Sequence, residues 1–216
     1  MKISIIVPVY NMAANGKLEF CLDSLLNQSI SDYEIIAVDD CSTDNSFDIL
    51  QSYASKYPNT FVALKNRINL RQGGAKNTGF RVARGEWVSF IDADDWIVPD
   101  YYEQMLSKAE STDADVVGCD YCLISSHTFQ ATESIANSRL SQVGILDDNK
   151  RRSLILDGGS LCTKIFKRKQ ILENNLFFPE HIFYEDNAVG NSYMILANHF
   201  EYIPKPLYFY YQHESS

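Results

Sequence analysis

Long apolar runs are missing from this sequence. No stretch approaches the roughly 20 apolar residues that a membrane span requires. The first apolar run, Ile3 to Val9, is too short for a leader and lacks a cleavage site. A chain without span or leader is expected to work in the cytoplasm, with contact at the inner face of a membrane left open. Basic residues are also scarce relative to acids: 19 Lys and Arg against 28 Asp and Glu give a net charge of −9. A field of that sign repels polyanions and argues against a nucleic-acid partner. It also means that a phosphate-bearing ligand would need a local cation. Cys21, Cys41, Cys119, Cys122 and Cys162 are scattered and odd in number, as free thiols in a reducing compartment should be. Cys119-Asp-Tyr-Cys122 has zinc-like spacing, but no second Cys/His pair accompanies it. The apolar run Ala114 to Ile124 around it reads as a strand, which makes both thiols core residues. Internal repeats and low-complexity tracts are absent as well.

What is present is the composition of an ordinary globular protein, 216 residues with 45% hydrophobic and 22% charged, enough for one medium domain. Ile3 to Val9 is a β-branched run without polar alternation, the pattern of a strand buried on both faces. Leu18, Cys21, Leu22, Leu25 and Leu26 then recur at helical spacing. Glu34 to Val38 predicts a second buried strand, and Phe47 to Tyr57 a second helix with Asp44 as its cap. Phe61 to Leu64 and Trp87 to Ile91 predict further strands, separated by a Gly-rich stretch leading into a short helix from Ala75 to Ala83. Tyr102 to Ala109 and Asp115 to Leu123 add one more helix and strand. Repeated βα units with short loops imply an α/β fold, a three-layer α/β/α sandwich around a mostly parallel central sheet. After Ser125 the pattern loosens. Ser125 to Asn149 reads as a polar surface excursion, Leu161 to Phe166 as a strand, and Arg168 to Asn174 and Asp186 to Ala197 as helices. The chain closes on an aromatic strand, Pro204 to His213, with no evident closing element, the expected look of one module of a longer protein. One domain over 1–216 is expected, with a nucleotide-binding half (1–125) and an acceptor-binding half (126–216).

Asp92-Ala93-Asp94-Asp95 follows the strand Trp87 to Ile91, at the sheet edge where open α/β folds bind ligands. Residues two apart in an extended segment point the same way, so Asp92 and Asp94 can present carboxylates together while Ala93 leaves its backbone free. Two converging carboxylates repel unless a cation lies between them. Hard oxygen ligands select Mg²⁺ or Mn²⁺, which bind through few protein groups plus ligand phosphates. Pro8-Val9-Tyr10-Asn11 and Asp39-Asp40-Cys41-Ser42 end the first and second strands at the same edge. Asn69 to Gly79 supplies glycines, including Gly74, and the cations Arg71 and Lys76 before a helix whose N–H groups could face phosphates. Lys150-Arg-Arg152 and Lys164 to Lys169 form basic patches, read as solvated faces, with an anionic membrane or lipid-phosphate acceptor as the alternative.

The segments Val7-Pro-Val-Tyr-Asn11, Ile36 to Asp44, Gly74-Ala-Lys-Asn-Thr-Gly79 and Phe90 to Asp95 resemble, in order and spacing, the family 2 glycosyltransferases of the GT-A fold. The resemblance implies that Tyr10 stacks near a nucleobase, that Asp40 contacts it, and that Asp92 and Asp94 meet ribose and metal. It also implies that Asp186 of Glu185-Asp186 deprotonates the acceptor hydroxyl, with Glu185 in support, and that a UDP-linked sugar is the default donor. His213 stands near a late metal or phosphate ligand of some relatives. Arg71 replaces a common glycine, Lys76 a common arginine and Cys162 a common tryptophan. The implied activity is inverting transfer to a glycan, lipid-linked or polysaccharide hydroxyl. A nucleotidyltransferase is the nearest rival, but its triphosphate would want cations in the loop after the first strand. Tyr10 to Lys17 is poor in them. A non-catalytic carbohydrate-binding module of the same fold is the other alternative.

Overall fold

A computed structural model describes residues 1–129, 133–157, 160–182 and 184–212. Strands and helices alternate through the first half: β1 (Ile3–Val9), α1 (Lys17–Leu26), β2 (Tyr33–Asp39), α2 (Ser46–Lys56), β3 (Phe61–Lys65), α3 (Arg71–Val82), β4 (Trp87–Phe90), β5 (Trp96–Ile97), α4 (Tyr101–Thr112) and β6 (Val116–Ile124). The second half adds β7 (Ser134–Ile135), β8 (Gly144–Ile145), α5 (Asp148–Asp157), β9 (Lys164–Lys167), α6 (Arg168–Glu173), α7 (Glu185–Leu196) and β10 (His199–Tyr211). The main path of the sheet runs β3-β2-β1-β4-β9-β6-β10-β5. Strands β3, β2, β1 and β4 are parallel, β9 is antiparallel to both β4 and β6, and β6 and β10 are parallel again. The sheet is therefore parallel over most of its paired length.

Strand alternation builds the two main cores. Ile3, Ile5, Val7 and Val9 of β1 pack with Leu18, Leu22 and Leu25 of α1 and Met105 of α4 on one face. Ile6 and Ile36 turn to the other face, against Ala75 and Phe80 of α3 and Val189 and Tyr193 of α7. Helices thus cover both faces, as buried β-branched strands require. Cys119 and Cys122 are buried free thiols in β6. Asn45 rather than Asp44 stands at the N-cap of α2, and Asp44, one residue earlier, accepts from Ser46 N at 3.0 Å.

Three features depart from the expected elements. Helix α3 starts at Arg71 rather than Ala75, so Gly73 and Gly74 lie inside it and not in a phosphate-holding loop. A Cβ on Gly79 would come within 2.7 Å of Ile6 Cγ2, so this helix can pack so closely on the sheet only because glycine sits there. The polar excursion after Ser125 contains β7, β8 and the start of α5. The last strand begins at His199 rather than Pro204, and its register against β6 shifts around Pro206, where the missing N–H breaks the ladder. Among the described residues no helix is long and apolar enough to cross a membrane.

Candidate active site

Strand β1 lies between β2 and β4, with Val9 opposite Asp39 and Ile6 opposite Phe90. The chain leaves β1 toward β2 on one side and returns to β4 on the other. Loops at the carboxyl ends of these strands therefore part and leave a crevice. That crevice is a cleft of about 1050 Å³. Pro8, Val9 and Tyr10 from the end of β1, Asp40 from β2, and Asp92, Ala93 and Asp94 from β4 all line it. Arg71 and Gln72 join from the start of α3, and Glu185 and Asp186 from the start of α7. Residues from 8 to 186 thus meet because three parallel strand ends and two helix starts share one edge.

The acids are held in different ways. Asp40 is almost fully buried, and its carboxylate accepts from Asn66 Nδ2 at 2.7 Å and from Leu70 N at 3.0 Å. It thereby ties the end of β2 to the start of α3. Asp92 accepts from Gln72 Nε2 at 2.6 Å and from the Cys162 thiol at 3.1 Å. Burial raises its pKa; Lys76 and the thiol pull it down, and Asp94 and Asp186 push it further up. Asp95 is turned into the protein, where Tyr208 Oη and Tyr211 N bond to it. Burial, then Asp92 and Asp94, hold its carboxyl well above the usual range. This crowding of carboxylates is the local condition that a divalent cation relieves. Among the described residues no three His, Cys, Asp or Glu side chains form a ready-made metal cage. Asp94, with Asp92 beside it, fits an ion that takes its remaining ligands from a diphosphate and water.

Lys76 does not reach the cleft. It is 1% exposed on α3, and its Nζ lies 3.0 Å from Glu185 Oε1. Burial would lower its pKa, but Asp92, Cys162 and Glu185 together raise it, which keeps the side chain cationic. Gly73 makes the approach of the two helices possible. A Cβ there would lie 2.5 Å from Pro179 O and 3.0 Å from Glu185 Cγ.

Gly74 and Asn11 also fall outside the cleft lining. Gly74 is buried in α3. Asn11 has a left-handed backbone (φ 53°), and its side chain accepts from Thr43 N at 2.8 Å, joining the loops after β1 and β2. His213 lies outside the described residues. Several cleft residues carried no signal in the sequence: Gln72, Met12, Ile182 and Tyr184. Tyr208 is core, whereas Tyr210 and Tyr211 line the cleft. The basic patch from Lys164 needs one correction: Lys164 is 4% exposed and is no solvated surface residue. It stands on β9 opposite Gly118, and its stem and the Phe200 ring both border the place where a Gly118 Cβ would be.

A mostly parallel sheet with acids and an aromatic ring gathered at its switch point defines an open α/β fold with its cleft at the strand ends. The family description "Glycosyl transferase family 2" matches residues 4–195, and the chain belongs to that family. It is 33% identical over 221 residues to the uncharacterized glycosyltransferase YibD of Escherichia coli (strain K12), covering 100% of this chain and 62% of that protein. It is also 33% identical over 188 residues to the poly(ribitol-phosphate) beta-glucosyltransferase of Bacillus spizizenii (strain W23), covering 84% of this chain and 27% of that one. Among solved structures, S. aureus TarS 1–349 in complex with UDP-GlcNAc superposes with a TM-score of 0.83 at 25% identity, over 100% of this chain and 60% of TarS 1–349. The sheet and its helices are thus those of the GT-A fold. The chain spans less than two thirds of the length of these two curated relatives.

Proposed function

We propose that the chain is the catalytic GT-A part of an inverting glycosyltransferase. It would move a sugar from a nucleotide diphosphate, with UDP favoured, to a hydroxyl of a glycan, lipid-linked or cell-surface polysaccharide acceptor. The carrying observation is that Tyr10, Asp40, Asp92 and Asp94 share one cleft with Asp186. TarS, related in fold and at 25% identity, holds UDP-GlcNAc, which supports UDP as the nucleotide. In this reading Tyr10 offers a ring face to the base, and Asp40 fixes the loop beside it. Asp92, anchored by Gln72 and Cys162, accepts a ribose or sugar hydroxyl. A Mn²⁺ or Mg²⁺ ion on Asp94 would supply the positive charge that neutralises a departing diphosphate. Asp186 takes the proton of the incoming hydroxyl as the new C–O bond forms and the bond to the diphosphate breaks. Glu185 and Lys76 hold Asp186 in place from behind. Residues 1–125 would bind donor and 126–216 acceptor, in a cytoplasmic setting that permits contact with a membrane face.

The test is release of nucleotide diphosphate from a panel of donor sugars with Mn²⁺, with and without EDTA. Turnover or donor binding that depends on metal is expected; no metal-dependent binding or turnover with any donor removes the donor-site reading. Asp186→Asn should lower transfer by about two to four orders of magnitude, the usual worth of a general base, and leave donor binding unchanged. A variant that still transfers at the native rate removes Asp186 as the base.

A further inference from the structure

Asp186 faces two spaces. Besides the cleft, it lines a second pocket with Asn187, Gly190 and Asn191 of α7, Asn137, and Lys164 of β9. Its volume is about 20 Å³. That is room for one or two oxygen-sized groups and not for a sugar ring.

Lys164 is the group in this pocket that the fold does not explain. It is 4% exposed, and its Nζ donates to Ser160 O at 2.6 Å. An ammonium has three donors, and one carbonyl satisfies one of them. Among the described residues no carboxylate forms an ion pair with Lys164, and the one hydrogen bond of its ammonium is that to Ser160 O. Of the two acids lining the pocket, Asp157 is held by Arg139 at 3.0 Å and Gln142 at 2.6 Å. The other, Asp186, opens onto the cleft. A buried cation without a counter-ion is expensive. A methionine would fill the same space without that cost.

We infer that this pocket is an acceptor subsite for one anionic oxygen of a carboxylate or phosphoryl group carried by the acceptor, with Lys164 as its counter-ion and the amides of Asn187 and Asn191 as further donors. The site rests on the reading of Asp186 as base: an anion seated there would lie next to the residue that deprotonates the acceptor hydroxyl. A chain of net charge −9 repels an anionic acceptor over most of its surface. A single enclosed cation is the local attraction that such an acceptor needs.

The test uses the full chain saturated with UDP and Mn²⁺, so that the cleft is filled before the anion is added. Binding of glycerol 3-phosphate is compared with glycerol, and of glucuronate with glucose, by isothermal titration. At least a tenfold preference for one anion over its neutral counterpart is expected, and the preferred pair identifies phosphoryl or carboxylate. Lys164→Met should erase the preference and keep UDP affinity. Gly190→Ala, whose Cβ would sit 3.7 Å from Leu161 Cδ1 in ordinary contact, should weaken it by narrowing the pocket, and it serves if the first variant misfolds. Equal binding of charged and neutral members, or a preference unchanged in Lys164→Met, overturns the subsite. Failure of UDP to bind the native chain instead overturns the donor reading on which the subsite rests.

Discussion

Lys76 and Glu185 are 109 residues apart in the chain, and both are almost fully buried. Each charge has left water, and the ion pair at 3.0 Å recovers that loss only while both partners stay. Asp92 adds a second attraction on Lys76. Removing one partner leaves a buried charge alone. Lys76→Met should therefore cost about 3–5 kcal/mol of stability, read as a lower urea midpoint at unchanged slope. The double variant Lys76→Met/Glu185→Met should recover most of that loss, because two apolar side chains of similar volume can replace a buried pair. Equal stability of the single variant and the native chain would show that water reaches the pair. From the sequence, Lys76 is one of two cations expected near a phosphate-facing helix start. Its burial in α3 gives it instead the work of holding the helix start that presents Asp186.

At the scale of elements, what could be read in the sequence followed from burial. Strands β1 and β2 are unbroken runs of buried residues, and no surface pattern competes with that signal. Helix α7 was legible from its spacing and from the acids in its first turn. Helix α5 was not, since Leu154 is its one buried residue and its apolar stripe is correspondingly faint. Strands β5, β7 and β8 have two residues each, too few for any period. The start of α3 was hidden by its glycines, which depress helix propensity yet are needed for close approach to Ile6 and Pro179. Asp40, Asp92 and Asp94 were legible because they follow strands, and Glu185 and Asp186 because they open a helix. Gln72 and Cys162 were not, because their bonds to Asp92 join positions 20 and 70 residues apart. Only the packing of α3 and β9 beside β4 brings them there.

For the molecule as a whole, Lys164 links the inferred subsite to folding. Burial pushes its pKa down from 10.5 to about 8, with the Cys119 and Cys162 thiols opposing the shift. The surrounding ionisable groups come from several elements: Cys119 on β6, Cys162 before β9, Asp157 on α5 and Asp186 on α7. A lysine whose folded pKa is depressed is neutral in the folded chain and still protonated in the unfolded chain between about pH 8 and 10.5. Over that window the unfolded state binds more protons, so this group makes stability rise with pH. Below pH 8 its burial costs on the order of 3 kcal/mol. Lys164→Met should remove that cost. Its melting temperature should exceed that of the native chain at pH 7, and the gap should close as pH approaches 10. Other groups, such as the buried tyrosines, titrate in both proteins and cancel in the difference. A gap independent of pH would mean that the side chain is neutral, or fully solvated, at every pH tested. A gap that closes as stated would show a chain less stable at neutral pH than a single substitution could make it. Selection for an enclosed cation beside Asp186 would account for that deficit, and packing alone would not.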